Sequence, residues 1–467
     1  MNDTICAIAT APGGALGIVR ISGCKAIEAA SQLFKAAGGK LLENYASNTA
    51  VFGTVSAGGR VVDEAIATIY RAPHSYTGEN CVELSCHGSQ YILGRILEQL
   101  VDDGCRLARP GEFTERAFLN GKMDLSQAEA VADIVAARSE SSSRIAVNQL
   151  RGGLHRELTH LYDAMLKLRS MLELELDFSD HEELDFAHNS QLEQMADEIL
   201  GHINRLASTF VAGNAMRRGI PVVISGCPNV GKSTLLNALI NEERALVSDI
   251  PGTTRDTIEE SLYIDGIEFR IIDTAGLHHT DDTVEKLGIQ RTLEKMSEAR
   301  TLLCVVSALS CRETVEIPFI DNVNSIDSVI AVINKIDLVP SSAELKDIQK
   351  RVEQYLEQSF NCSTAVVCIS AKKREGLENL KHTLVEMQGF DIPDMSETII
   401  VSKRHYEALV RAAEYVKKTK EAIQSGISAE IACLELQQAD NELSAIGGGT
   451  TPQEVLDSIF SHFCIGK

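Results

Sequence analysis

Apolar and polar residues follow three different patterns along the chain, and each pattern predicts a different kind of structure. In residues 1–120 the apolar residues fall mostly in short, β-branched runs, which are typical of strands. Helical spacing, with apolar residues three and four apart, interrupts these runs at residues 25–36 and 91–101. The predicted strands lie at residues 4–10, 16–21, 50–55 and 65–70. The mixture predicts an α+β domain over residues 1–120.

The chain from Ser126 to residue 217 carries almost no strand signal. Ser126 and Glu129 have the spacing of a capping box, so a helix is expected to begin there. The apolar spacing predicts two long helices followed by a third, at residues 126–150, 154–176 and 191–217. Helical spacing returns from Glu397 to the end.

The two helical stretches are interrupted by a segment of a different kind. We therefore predict one all-helical domain in two parts, residues 121–218 and 381–467, with residues 219–380 inserted between them. The insert opens with an apolar run at residues 220–225, and helical spacing resumes at residue 234.

Between that run and that helix lies the sequence G-C-P-N-V-G-K-S, residues 226–233. Strand, glycine loop and helix in this order are the context of a phosphate-binding loop. Its glycines let backbone N–H groups surround phosphate oxygens, and the helix N-terminus adds partial positive charge. We expect Lys232 to reach the β- and γ-phosphates and the Ser233 hydroxyl to bind Mg²⁺.

Two further motifs suit the phosphate end of a nucleotide. The sequence D-T-A-G at residues 273–276 follows an apolar run and places Asp273 near the magnesium shell, with the Gly276 backbone near the γ-phosphate. The sequence T-T-R-D at residues 253–256 offers Thr254 as a second magnesium ligand.

Two more motifs select the base. The sequence N-K-I-D at residues 334–337 offers the Asp337 carboxylate to guanine N1 and N2, a donor pair that adenine lacks. The sequence S-A-K at residues 370–372 suits a backbone contact to guanine O6. Together the motifs predict a GTP-binding domain. The predicted GTP-binding residues are Asn229, Val230, Gly231, Lys232, Ser233, Thr234, Ser248, Asp249, Ile250, Pro251, Gly252, Thr253, Thr254, Asp273, Thr274, Ala275, Gly276, Asn334, Lys335, Asp337, Ser370, Ala371 and Lys372.

The motifs lack the groups that usually accelerate hydrolysis. Leu277 stands where many small GTPases carry a water-orienting glutamine, and no arginine finger is evident. The Asn229 side chain, with carbonyls of the loop at residues 248–253, offers oxygen ligands for a monovalent cation beside the phosphates. The alternative is that Asn229 only stabilises its turn. Glu285 is either a catalytic group or a first-turn carboxylate favoured by the helix dipole.

Composition narrows the class of protein. The chain has 467 residues, 44% hydrophobic and 24% charged, which is typical of globular domains. No apolar run is long enough to span a membrane, and residues 1–5 lack a basic signal region, so a cytoplasmic location is expected. The twelve cysteines form no C-x-x-C pair, so reduced thiols are expected. The formal net charge of −22 implies that a more basic partner holds any nucleic acid.

Over its full length the chain resembles the MnmE (TrmE) family of bacterial tRNA-modification GTPases. The resemblance rests on the mid-chain GTPase motifs together with segments at residues 3–5, 17–23, 76–79 and 108–120 and the tail F-C-I-G-K at residues 463–467. It implies a multidomain α/β and α+β protein with an N-terminal folate-binding-like domain, an all-helical domain and an inserted Ras-like P-loop GTPase domain. One departure is Cys227, where the family often has arginine.

The resemblance also implies roles for single residues. The N-terminal domain would dimerise and bind a tetrahydrofolate derivative, 5-formyl- or methylene-tetrahydrofolate, through Arg20, Glu83 and Lys122, with Lys467 nearby. Cys464 would lie near that site, where it is either reactive or a buried, inert thiol. Potassium would be bound by Asn229, Ser248, Ile250 and Thr253. Glu285 would orient the attacking water.

The implied reaction needs a second protein. With an FAD-dependent partner of the MnmG (GidA) kind, in a heterotetramer, such a homodimer would install an aminomethyl or carboxymethylaminomethyl group at C5 of the wobble uridine, position 34, of certain tRNAs. Two alternatives remain open, a ribosome-assembly GTPase of the Era kind and a non-enzymatic folate-binding scaffold. Bound nucleotide and folate would distinguish them.

Overall fold

A computed structural model gives the fold of most of the chain. The structure describes residues 3–11, 13–178, 185–244, 259–273, 299, 301–312, 315, 326–389, 397–426, 429–449, 451–461 and 463–466. The chain divides into two compact units. The first comprises Met1–Ala136, Ile145–Ala207 and Arg404–Lys467, and the second Ala137–Arg144 and Ser208–Lys403.

The first unit begins with a seven-stranded sheet in the order β3-β4-β5-β6-β2-β1-β7. Its strands are β1 (Ile5–Ile8), β2 (Leu16–Ser22), β3 (Phe34–Ala36), β4 (Thr49–Ala57), β5 (Arg60–Tyr70), β6 (Cys81–His87) and β7 (Arg106–Leu107). Neighbouring strands are antiparallel except β1 and β7, which are parallel. Helices α1 (Ala26–Leu33), α2 (Gln90–Asp102) and α3 (Glu112–Leu119) complete this part. The predicted α+β fold is confirmed.

The core of this part lies between the sheet and the helices α1 and α2. On β4 the side chains of Val51 and Val55 are buried while Phe52 between them is exposed, as the alternation of a strand requires. The predicted helix over residues 25–36 was wrong at its end. Residues 34–36 form the edge strand β3, because Phe34 and Ala36 both point into the core while the backbone pairs with β4.

Seven described helices that lie wholly or mostly in the rest of the first unit form the helical part, and the start of the second of them, residues 140–144, belongs to the second unit. They are α4 (Leu125–Ala136), α5 (Glu140–Leu150), α6 (Gly153–Phe178), α7 (Asp185–Ser208), α12 (Lys403–Gln424), α13 (Ala429–Gly447) and α14 (Gln453–Ser461). Leu125 and Ala128 of α4 pack against Leu456 and Phe460 of α14. The end of the chain is therefore packed against the start of the helical part.

Three details of the predicted helices were wrong. The helix expected over residues 191–217 is two helices, because the first ends at Ser208 and a separate one runs over Phe210–Arg218. Residues 126–150 form two helices, because Ser139 and Ser142 cap each other and start α5: the Ser139 Oγ accepts from the Ser142 N–H at 3.1 Å, and the Ser142 Oγ accepts from the Ser139 N–H at 3.1 Å. The capping residue of α4 is Asp124, two residues before the predicted one, because its Oδ1 accepts the Gln127 N–H at 2.8 Å.

Glu129, expected to be part of that cap, instead forms a half-buried ion cluster around the buried His405. Its carboxylate lies 2.7 Å from His405 Nε2 and 3.1 Å from Arg404 Nε, and these contacts join α4 to α12. Arg404 also donates to the carbonyl oxygens of Ala445 and Ile446 at 2.6 and 3.0 Å, at the end of α13. Burial raises the pKa of Glu129, but His405 and Arg404 outweigh it and lower the pKa from 4.5 to about 2.

Removal of the Glu129 charge is expected to make the chain less stable at neutral pH. Because the pKa is lower in the folded state, the stabilisation is fully present above pH 4.5 and is lost as the pH falls through about 2. Glu129→Gln should cost roughly 3 kcal/mol of unfolding free energy at pH 7, and less as the pH approaches 2. Thermal unfolding from pH 7 to pH 3 measures this.

Glu98→Gln is the matched control for this prediction. Glu98 also pairs with an arginine, at 2.7 Å, but its side chain is 63% exposed, so its loss should change stability little at any pH. Equal melting temperatures for the two variants at pH 7 would contradict the role given to Glu129.

The second unit contains a six-stranded sheet in the order β13-β12-β11-β8-β10-β9. Its strands are β8 (Ile220–Ser225), β9 (Glu259–Ile264), β10 (Ile267–Asp273), β11 (Thr301–Ser307), β12 (Ser328–Asn334) and β13 (Ser363–Cys368). Its helices are α8 (Phe210–Arg218), α9 (Lys232–Arg244), α10 (Ser342–Ser359) and α11 (Leu377–Glu386). All neighbouring strands are parallel except β9 and β10. Every residue of β11 and β12 is buried, as expected inside a parallel sheet.

The apolar runs at residues 220–225, 269–272, 329–333 and 366–369, each followed by a nucleotide motif, predict four strands of the insert, and these are present as β8, β10, β12 and β13. The strands β9 and β11 had not been recognised in the sequence. Among the described residues, no helix is both long and apolar enough to cross a membrane.

Candidate nucleotide site and the C-terminal tail

The nucleotide motifs lie at the carboxyl ends of parallel strands. The loop after β8 carries residues 226–231, the N-K-I-D motif follows β12, and the S-A-K motif follows β13. In an open parallel sheet the carboxyl ends of the strands form the ligand crevice. The fold therefore brings together segments that are more than a hundred residues apart in sequence.

The loop after β8 has the geometry of a phosphate cradle. Gly231 has a φ of +103°, and a Cβ on it would overlap the side-chain amide of Asn334. Its carbonyl accepts the Leu235 N–H at 2.9 Å, so helix α9 starts directly from the loop. Lys232 Nζ donates to the carbonyl oxygens of Gly226 and Cys227 at 2.6 and 3.2 Å, which fixes a positive charge over the loop. A negatively charged group is favoured there.

Asn334 joins the three motifs. This side chain is 3% exposed, and its Nδ2 donates to the carbonyl of Val230 at 2.9 Å. Its Oδ1 accepts the backbone N–H groups of Lys335 at 2.8 Å and of Ala371 at 3.0 Å. One buried amide thus fixes the phosphate loop and both base-side loops relative to each other, because leaving any of these groups unpaired costs about 1–3 kcal/mol.

The base-side loops are also joined directly. The Ser370 hydroxyl donates to Asp337 Oδ1 at 2.7 Å, and this hydrogen bond lowers the pKa of Asp337 below its usual value. The carboxylate is therefore ionised at neutral pH and able to accept hydrogen bonds. Lys335 has a left-handed backbone, with a φ of +66°, and its Nζ donates to the carbonyl oxygen of Asn229 at 2.6 Å.

The donor set on the phosphate side fits a cation. Asn229 is exposed and has a φ of +64°, and its side-chain amide has no hydrogen-bond partner among the described residues. The exposed Ser233 hydroxyl likewise has no hydrogen-bond partner in the described part of the chain. Oxygen ligands of this kind suit Mg²⁺ and monovalent cations.

The other predicted nucleotide residues are placed as follows. Val230 is buried beneath the loop, and Thr234 and Lys372 are exposed near the site. The backbone of Asp273 ends β10 and pairs with Ile224 of β8, but its side chain is outside the description. Of all the predicted site residues, those outside the described part of the chain are Ser248, Asp249, Ile250, Pro251, Gly252, Thr253, Thr254, Thr274, Ala275, Gly276, Glu285 and Lys467.

A second cluster surrounds Arg20 on the sheet of the first unit. Arg20 and Glu83 are directly opposite on β2 and β6, and their side chains form an ion pair at 2.8 Å. The guanidinium carbon lies 5.4 Å from the ring centre of Tyr76 and 5.5 Å from that of Phe113. Such cation–π contacts hold a half-buried arginine in one orientation.

The C-terminal tail reaches this cluster. Arg20 Nη1 donates to the carbonyl oxygen of Gly466 at 3.2 Å, and the Gly111 N–H donates to that of Cys464 at 3.4 Å. Cys464 itself is exposed, so the suggestion of a buried thiol is wrong. Lys122 Nζ donates to the carbonyl oxygen of Pro73 at 3.0 Å, in the loop that also carries Tyr76.

The structure therefore brings Arg20, Glu83 and the tail together, with Lys122 bound to an adjoining loop. The sequence did not predict the contacts of Tyr76, Phe113 and Gly111. The only signal for them was that they fall inside the two family-like segments at residues 76–79 and 108–120.

Comparisons with known proteins cover almost the whole chain. The family model described as "GTP-binding protein TrmE N-terminus" matches residues 4–122, and that described as "MnmE helical domain" matches residues 125–464. The proteins named "tRNA modification GTPase MnmE" from Phocaeicola vulgatus and Bacteroides thetaiotaomicron are each 44% identical to this chain. The alignments cover 100% of this chain and 99% and 100% of those proteins.

Similar solved structures cover less of the chain. Era from Aquifex aeolicus, bound to GDP and AlF4⁻, is 24% identical with a TM-score of 0.26 and covers 42% of this chain and 66% of its own. The G domain of FeoB from T. maritima is 25% identical with a TM-score of 0.25 and covers 36% of this chain and 98% of its own. At these TM-scores neither similarity supports a conclusion about this chain.

The assignment rests on identity along the whole length rather than on the GTPase motifs, which many proteins share. A family model that matches most of the chain agrees with full-length relatives at 44% identity. The chain belongs to the MnmE family of tRNA modification GTPases.

Proposed function

We propose that this chain hydrolyses GTP and, with an FAD-dependent MnmG-like partner, modifies C5 of the wobble uridine, position 34, of certain tRNAs. The product is an aminomethyl or carboxymethylaminomethyl derivative, and a tetrahydrofolate derivative supplies the one-carbon unit. The observation that carries the proposal is the full-length identity to relatives named tRNA modification GTPase MnmE. It favours this function over ribosome assembly. As a tRNA-modifying protein, it would act in the cytoplasm.

The nucleotide site supports the GTPase part of the proposal. Lys232 neutralises charge on the β- and γ-phosphates, and Asp337 recognises guanine through its N1 and N2 donors. Ser233 and Thr254 would hold Mg²⁺, which would neutralise negative charge on the phosphates when bound. Asn334 acts indirectly, because it keeps the phosphate and base loops at a fixed separation.

The same proposal makes Asn229 a ligand of a potassium ion that assists hydrolysis. The Asn229 amide oxygen and the carbonyl oxygens of Ser248, Ile250 and Thr253 would hold one potassium ion beside the β- and γ-phosphates. The cation would supply the positive charge that an arginine finger supplies elsewhere. GTP hydrolysis would then be coupled to pairing of two GTPase domains.

Asp337→Asn is expected to weaken GTP binding by roughly 10-fold to 10²-fold and to shift preference toward xanthosine triphosphate. The substitution replaces a two-acceptor group by one donor and one acceptor, and the donor faces a guanine N–H. Competition between the two nucleotides for the purified variant measures the shift. Ser370→Ala is the companion variant, since it removes the hydrogen bond that orients Asp337 but leaves its charge. Unchanged GTP preference in Asp337→Asn would contradict the assignment.

The cluster around Arg20 supports the folate part. Arg20, Glu83, Lys122 and Lys467 would contact a tetrahydrofolate derivative, an anionic ligand with a flat ring system. Arg20 offers positive charge, and Tyr76 and Phe113 offer aromatic faces beside it. A homodimer bound to the partner in a heterotetramer fits the acidic balance of the chain, since the partner would hold most of the tRNA.

Arg20→Ala tests the function as a whole. The variant should lose binding of 5-formyltetrahydrofolate in calorimetry and lose modified wobble uridine, as measured by mass spectrometry of tRNA incubated with both proteins. GTP turnover should stay near wild type, because Arg20 and the nucleotide motifs are in different units.

The matched control is Arg95→Ala, since Arg95 also pairs with a glutamate but on the exposed surface of α2. It should bind folate and support modification normally. Absence of folate binding by the wild-type chain would remove the one-carbon proposal. Absence of modified uridine with the wild-type pair would remove the proposed reaction.

A further inference from the structure

We propose that Gly111 is a positioning residue that fixes the C-terminal tail, residues 463–466, and thereby sets where Cys464 lies. The inference deepens the proposed function, and only its activity measurement depends on that function. Three observations support it: the contact of Gly111 with the tail, the rigidity of the segment that carries Gly111, and a second anchor on the far side of Cys464.

Gly111 touches the end of α14 and the tail without any space for a side chain. Its N–H donates to the carbonyl oxygen of Cys464 at 3.4 Å. A Cβ on Gly111 would lie 2.7 Å from the carbonyl oxygen of Phe460 and 3.1 Å from the Cβ atoms of Phe460 and Phe463. The nearest neighbour is a backbone atom, which cannot rotate away, so any side chain would push the tail outward.

The segment that carries Gly111 cannot easily move instead. The next residue, Glu112, is fully buried and accepts hydrogen bonds from Arg116 at 3.0 Å and from the Arg109 N–H at 2.8 Å. Arg106 and Asp3 extend this ion cluster to β7 and to the start of the chain. Separating such buried charges is costly. An added Cβ would therefore displace the tail and not the loop.

A second anchor holds the tail beyond Cys464. Arg20 donates to the carbonyl oxygen of Gly466, which has a φ of +96°. A Cβ on Gly466 would lie 2.8 Å from Ala9 Cα and would overlap the carbonyl oxygen of Ile8. Between the two anchors Ile465 is 61% exposed and Cys464 is exposed. The tail is thus held by its backbone at both ends, and Cys464, two residues before the carbonyl that Arg20 binds, is exposed.

The simpler interpretation is that glycine is needed at position 111 only because the residue before α3 has a left-handed backbone, with a φ of +68°. Gly121 provides the comparison, because it has nearly the same φ, +66°, at the other end of α3, and a Cβ there meets nothing within 4 Å. Alanine at either position introduces the same backbone strain, but only the Cβ added in Gly111→Ala would collide with the tail.

The chain contains no tryptophan, so Ile465→Trp gives a single fluorescent reporter at an exposed position of the tail. With excitation beyond tyrosine absorption, a docked reporter tumbles with the protein and shows high anisotropy. In Gly111→Ala the anisotropy should fall by about half, because a released tail moves within nanoseconds. In Gly121→Ala it should be unchanged. Equal anisotropy in the Gly111→Ala and reference proteins would overturn the positioning role.

Gly466→Ala tests the same idea at the other anchor. It should also release the reporter, and it keeps the proposal testable if Gly111→Ala does not fold, as judged from thermal unfolding. High anisotropy in a folded Gly466→Ala protein would overturn the second anchor.

The activity measurement uses the chains without the reporter. Gly111→Ala should lower modification of the wobble uridine on the order of 10²-fold with GTP turnover within about two-fold, and Gly121→Ala should change neither. Full modification by a protein whose tail is released would overturn the link between the tail and the reaction. If the wild-type pair itself makes no modified uridine, the proposed function fails, and the anisotropy result still decides whether Gly111 positions the tail.

Discussion

Glu285→Ala is expected to lower GTP turnover by about 10²-fold or more while GTP affinity stays nearly unchanged, as the loss of a positioned acid–base group usually does. The reason is in the sequence of the motif before it. Leu277 cannot orient water, so another group must, and the family resemblance gives that role to Glu285. Single-turnover hydrolysis and nucleotide titration separate the two effects.

Glu294→Ala is the matched control, since it removes a second glutamate only nine residues further along the chain. It should hydrolyse GTP at the wild-type rate. Glu285→Gln adds a second comparison, because glutamine keeps the size and polarity of the side chain but cannot accept a proton. Wild-type turnover in Glu285→Ala would mean that this residue is only a carboxylate at a helix start.

GTP turnover is also expected to depend on potassium, with a stimulation on the order of 10²-fold, comparable to that of one preorganised transition-state contact. Among the described residues the Asn229 amide has no hydrogen-bond partner, and the other oxygens proposed for the cage come from residues 248–253. Sodium is smaller and should fit the cage poorly. Rates in potassium chloride and sodium chloride at matched ionic strength measure the selectivity.

Asn229→Ala should lose the stimulation and keep GTP, because Lys335 is bound by the Asn229 carbonyl and not by its side chain. Since Asn229 has a φ of +64°, Asn229→Gly is the cleaner variant, and Asn48→Ala, at a φ of +60°, controls for strain alone. Equal rates in the two salts would refute the cage. A GTPase domain that stays monomeric with a transition-state mimic would refute domain pairing.

The fold was predictable where burial follows a simple period. The strands β8, β12 and β13 were recognised because a buried parallel strand is a continuous apolar run. The helix predicted over residues 126–150 was wrong because apolar spacing continues across a break that is made by hydrogen bonds between Ser139 and Ser142. The period of apolar residues shows which side of an element is buried, but it does not show a polar cap that divides the element in two.

The same division between local pattern and distant contact holds for the two candidate sites. By itself, the sequence determined the family and the nucleotide motifs, because a phosphate loop and a guanine-selecting carboxylate need particular residues within a few positions of each other. Only the tertiary structure decided which of these residues meet. Asn334 links loops 104 and 37 residues away, and Arg20 reaches a carbonyl 446 residues away. Such contacts depend on the packing of whole elements, and no local spacing in the chain encodes them.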